Sequence, residues 1–188
     1  MMKRTLFHDG VGFKTREENG EKHIEGYFAV FDGKYWLWDD AYETVDVGAF
    51  DLTRDKDVRA LCNHDTTRVL GRTTAGTLTL EVDEDGLWGD VKINQNDQDA
   101  VNLYERVKRG DVTQCSFGFD ILDELMEQEK GQPTVWHIRK VKLYEVSVVT
   151  FPAYEETGVK ARKKEIDTIK ERKLEEWKKS QAKRLKGV

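Results

Sequence analysis

From Gln114 to Ile121 the apolar residues fall on every second position. Cys115, Phe117, Phe119 and Ile121 take one side of an extended segment, and Ser116, Gly118 and Asp120 take the other. Successive side chains of a strand point to opposite faces, so this spacing predicts a strand. Its aromatic side enters the core, its serine faces away, and Gly118 leaves space beside the hydroxyl. The same period recurs from Leu70 to Val82 and from Leu87 to Ile93, where Thr77, Thr79 and Glu81 alternate with Leu78, Leu80 and Val82. Asp83-Glu84-Asp85-Gly86 supplies turn chemistry between them, which predicts a hairpin. Further strands are expected over Glu21–Asp32, Val58–Asn63 and the long run Val135–Thr150, which Phe151-Pro152 stops, with a short strand or turn over Thr44–Asp51. Tyr35-Trp36-Leu37-Trp38 reads as a loop, and the acidic stretch Asp123–Gly131 predicts no element.

One window changes period. Asn96 is a candidate N-cap, Asp97 and Asp99 suit the first turn, and Val101, Tyr104, Val107 and Lys108 follow helical spacing until Gly110. The fold class is therefore mainly β with helices (α+β), with strands spaced as in a barrel or sandwich. After Glu155 the chain turns rich in Lys, Glu and Arg, and Ile166, Ile169 and Trp177 make only a thin helical stripe. Residues 1–157 are expected to form one domain and residues 158–188 an exposed or partner-dependent helical extension, with a solvated tail as the equal alternative.

Charge separates the same two parts. The net charge of -5 divides into 12 basic against 5 acidic residues in 158–188 and 19 against 31 in the remainder. An acidic body argues against nucleic acid as its main ligand, while the basic tail suits an acidic partner or, weakly, nucleic acid. No apolar stretch predicts a signal or a membrane span, and two cysteines, Cys62 and Cys115, point to free thiols in a reducing compartment.

Three residue types carry candidate chemistry. His64 ends an apolar strand between Asn63 and Asp65, an accessible place for a general base. Glu145 lies in a row with Val141, Leu143, Ser147 and Val149, where a carboxylate among apolar neighbours calls for a partner. An imidazole would satisfy it, while the residues alone favour a strand-edge glutamate that reaches solvent or a lysine such as Lys140 or Lys142. Ser116 is the hydroxyl on a rigid strand. Cys62, His64, Cys115 and His137 are the types for a zinc set but lack a C-x-x-C pair, and Cys115 shares the aromatic face, which suits a packed thiol better than a nucleophile. No metal or cofactor is expected. The G-x-S-x-G, P-loop and G-x-G-x-x-G motifs are all missing.

The motifs Gly26-Tyr27-Phe28-Ala29-Val30-Phe31-Asp32, Val47-Gly48-Ala49-Phe50, Asn63-His64-Asp65, Leu70-Gly71-Arg72, Ser116-Phe117-Gly118-Phe119 and Glu145 to Ala153 occur in an order that resembles the prohead (capsid maturation) proteases of tailed bacteriophages. That family is held to be distantly similar to the herpesvirus assemblins. The resemblance implies a β-barrel surrounded by helices and a serine endopeptidase with His64 as base, Ser116 as nucleophile and Glu145 as the third member. Asp65 is the rival third member, and the backbone of Phe117 and Gly118 is a guess for the oxyanion site. The implied substrates are the scaffolding segment of the major capsid protein and the protease itself, cleaved inside the procapsid in the host cytoplasm. Homodimerisation, known of the assemblins, is left open. The alternative is a catalytically silent scaffold-binding module with the same fold.

Overall fold

The structure is a computed structural model that describes residues 3–4, 13–151 and 156–185. The chain divides into two units, residues 1–154 and 155–188.

The first unit is built on two sheets. Strands β1 (Lys3–Arg4), β4 (Tyr35–Trp38), β5 (Ala41–Val45), β6 (Arg59–Cys62), β7 (Asp65–Arg72), β10 (Gln114–Glu127) and β11 (Thr134–Val149) form the larger, while β2 (Lys14–Glu18), β3 (Glu21–Val30), β8 (Leu78–Val82) and β9 (Gly86–Lys92) form the smaller. β10 and β11 pair antiparallel along most of their length and are the spine of the larger sheet. On the other side of β11, β5 pairs in parallel with its first half and β6 with its second. The gap between them is filled by the β5–β6 connection, where the carbonyl of Ala49 accepts the N–H of Val141 at 3.0 Å. Among the described residues of this unit the one α-helix, α1 (Gln98–Arg109), buries Ala100, Leu103, Tyr104 and Val107, one face at helical spacing. One core draws on α1 and both sheets: Phe28, Leu87 and Val91 from the smaller, Phe117, Phe119, Val146 and Val148 from the larger.

Several expectations change. The implied barrel is not closed; the described strands make two open sheets, because edge strands such as β4 and β7 have no neighbour on their outer side. The expected hairpin arm from Leu70 is split by a 3-10 turn at Thr73–Ala75, so that β7 belongs to the larger sheet and β8 to the smaller. The tryptophan-bearing loop is strand β4, and β10 extends through the acidic stretch to Glu127, paired with Val135. The N-cap of α1 is Asp97 rather than Asn96: its side chain accepts the N–H groups of Asp99 and Ala100.

The second unit contains α2 (Glu156–Leu185), a single helix whose apolar residues do not gather on one face. Leu174 and Trp177 are exposed on it. Among the described residues no helix is long and apolar enough to cross a membrane.

Candidate active site

The ladder between β10 and β11 decides what faces what. Ser116 lies opposite Ser147 and Gly118 opposite Glu145, so these four residues share one face of the sheet. Phe117 opposite Val146 and Cys115 opposite Val148 share the other, which is the core face. The register then shifts: Phe119 pairs with Leu143, leaving Tyr144 as an extra residue in β11. Such a bulge inverts the alternation beyond it. Leu143 and Val141 therefore point into the core with Phe119 and Ile121, and Glu145 does not share their face, contrary to the row read from spacing. The carboxylate sits with the serines.

Two neighbours hold the bulge. Asp55 Oδ2 accepts the N–H of Leu143 at 2.9 Å, and Arg54 donates to both Asp55 oxygens at 2.8 and 2.7 Å and to the carbonyl of Val141. Gly118 makes room on the other strand: a Cβ there would stand 2.4 Å from Glu145 Oε1.

His64 reaches this face from β6. Cys62 pairs with Asp65, so Asn63 and His64 are the entire connection between β6 and β7. Both have positive φ, 52° and 58°, as a two-residue type I′ hairpin turn demands. Asn and His are among the few residues that enter this region readily. Asn63 fixes the turn to the end of β11, donating its N–H to the Val148 carbonyl at 2.9 Å and accepting the N–H of Thr150 on its side-chain oxygen at 2.8 Å. The turn delivers His64 Nδ1 to 2.6 Å from Glu145 Oε1. Glu145 Oε2 accepts a hydrogen bond from Ser147 Oγ at 2.6 Å, and Ser147 Oγ in turn accepts the backbone N–H of His64 at 3.3 Å.

All four groups are secluded: Ser116 and Ser147 have 0% exposure, Glu145 3%, and the His64 side chain 11%. Ser116 does face away from the aromatic core, but it is buried, where the strand pattern placed it on an open side.

The other candidates lie elsewhere. Asp65 turns its carboxylate along its own strand, accepting the N–H and hydroxyl of Thr67, and His64 Nδ1 goes to Glu145 instead. Phe117 and Gly118 stand between β1 and β11, with Arg4 and Lys3 opposite them, so their amides run in the plane of the sheet and not toward the face that bears Ser116. His137 pairs with Asp46 at 3.0 Å and His23 with Asp90 at 2.8 Å, and His8 falls outside the described residues. Cys62 is buried in the core, and burial pushes the Cys115 thiol up to about 12. Among the described residues no three His, Cys, Asp or Glu side chains are gathered as a metal site. Ser147 had drawn no role from the sequence, although the spacing Glu145-x-Ser147 on one strand is a signal for it: two residues apart, they share a face.

A family model, that of the caudovirus prohead serine proteases, matches residues 11–172. The chain belongs to this family. No curated protein and no solved structure matches it. Prohead serine proteases are hydrolases of phage capsid maturation, so membership makes the chain a serine protease whose work lies among capsid proteins.

Proposed function

We propose that the chain is a serine endopeptidase in which Ser116 is the nucleophile, His64 the general base and Glu145 the acid that orients the imidazole. The observation that carries this reading is the 2.6 Å contact between His64 Nδ1 and Glu145 Oε1 on the face that bears Ser116. With Nδ1 turned to an acceptor, the proton on the ring sits there, and Nε2 is the nitrogen that receives the nucleophile's proton. Two serines share the face, and Ser147 gives its only proton to Glu145, which favours Ser116 as the one that reacts. Ser116 Oγ attacks the scissile carbonyl as Nε2 takes its proton. The imidazolium, held by Glu145, returns that proton to the leaving amine. Water activated by the same nitrogen then releases the acyl group.

The substrates are the scaffolding segment of the major capsid protein and the protease itself, cut within the procapsid. The basic residues 158–188 guide the enzyme into the shell along an acidic scaffold and are later removed by self-cleavage. Co-expression with the capsid protein, read by gel mobility and by mass spectrometry of the capsid protein's N-terminus, tests the assignment. The wild type trims its substrate, and Ser116→Ala, equally folded, leaves it whole; trimming by that variant overturns the reading. Untrimmed capsid protein beside soluble wild type is instead the outcome for a silent scaffold-binding module.

A further inference from the structure

We infer that Ser147 is a positioning residue of the protease site, holding both the carboxylate and the backbone of the histidine. The inference rests on the roles proposed above for His64 and Glu145. A hydroxyl has one proton to give and two lone pairs to offer. At 0% exposure, the Ser147 hydroxyl has no solvent to satisfy it. Its proton goes to Glu145 Oε2 at 2.6 Å, and one lone pair accepts the His64 backbone N–H at 3.3 Å. Glu145 Oε1 completes a ring of contacts at His64 Nδ1, 2.6 Å away. The histidine is thus held twice, by its ring and by its main chain, with the carboxylate and Ser147 between the two grips.

Each grip has a consequence. The terminal torsion of a glutamate is broad and sets no orientation by itself. Fixing Oε2 on Ser147 is what aims Oε1 at the imidazole. The second grip acts on backbone: His64 has φ of 58°, a left-handed conformation that costs an L-residue energy even where histidine tolerates it, and the bond from its N–H to Ser147 ties the turn down beside the carboxylate. The Ser147 proton also draws charge from the carboxylate. Without it, Glu145 attracts an imidazolium more strongly, so the pH at which the base becomes active moves upward.

The test uses the full chain and a peptide spanning the mapped capsid cleavage site. Ser147→Ala lowers kcat on the order of ten- to a hundredfold, as loss of a hydrogen bond one step behind a reacting group does, with KM unchanged and the acid limb of the rate profile moved to higher pH. Ser147→Cys, which keeps a weak proton donor in nearly the same volume, falls between. In a Ser116→Ala background, which removes self-cleavage, the downfield proton resonance of His64 Nδ1–H shifts on adding Ser147→Ala. A kcat within twofold of wild type, or a loss with acid limb and resonance unmoved, overturns the inference. Should Ser147→Ala fail to fold by circular dichroism, wild-type kcat and resonance in Ser147→Cys overturn it equally. Cleavage by Ser116→Ala alone, by contrast, refutes the nucleophile while the resonance still reports on Ser147.

Discussion

His64 owes its place to a connection too short for ordinary backbone. Two residues join β6 to β7, and both must turn left-handed, which asks for an asparagine, a histidine or a glycine and puts the imidazole at a fixed point over β11. Cys115, next to the proposed nucleophile on the chain, lies on the opposite face with its thiol pushed up to about 12 by burial. It therefore stays protonated at pH 8 and resists iodoacetamide in the folded protein, and Cys115→Ala retains cleavage; inhibition by the reagent through Cys115 is the contrary result, read by peptide mapping. The sign for stability follows. A thiol ionises near pH 8.5 when unfolded. The folded state therefore loses ground as pH rises from there toward 12 and is unaffected below. At this scale the sequence exposed Ser116 through the alternation around it and His64 through its place at a strand end. It hid the face of Glu145, since a single inserted residue inverts a period of two and leaves no mark on composition.

That inserted residue belongs to the element β11. Its cost is one displaced rung of the ladder, and Asp55 answers it by accepting the N–H of Leu143 while Arg54 holds the carboxylate. Asp55→Ala leaves a buried N–H without its acceptor and is expected to cost about 1–3 kcal/mol, measured by urea unfolding, with cleavage impaired because the bulge sets the face of Glu145. Deleting Tyr144 removes the extra residue and leaves Glu145 opposite Gly118 and Leu143 opposite Phe119, so Glu145 keeps its face and the variant retains cleavage where it folds; a folded variant with cleavage lost would refute the account of the bulge. Strands with clean alternation, such as β8 and β9, and the helix α1 with its glycine stop, were readable. Lys14–Glu18 was not, for all five residues are polar or charged, although Asn19-Gly20 behind it is a strong hairpin signal. β4 was concealed because its aromatic residues resemble a loop when no alternation separates them.

At the scale of the molecule, charge is divided between two units, and the helix α2 carries its apolar side chains without a common face. Such a helix is suited to a charged partner more than to a hydrophobic groove. Deleting residues 158–188 is expected to lower the number of protease copies found in purified procapsids while peptide cleavage in solution persists; unchanged incorporation sinks the targeting role. The larger lesson of the first unit lies in the seclusion of Ser116. On the proposed assignment of Ser116 as nucleophile, a peptide carbonyl cannot approach its hydroxyl at 0% exposure, and turnover is expected to wait on an open form of the site. The observed rate is then the chemical rate scaled by the fraction open, and a ligand that favours that form raises activity by as much as it shifts the balance. On that assignment latency needs no separate inhibitor: the enzyme is expected to cleave slowly when dilute and alone and faster where substrate is crowded around it. A rate per enzyme that is unchanged by crowding its substrate would refute this.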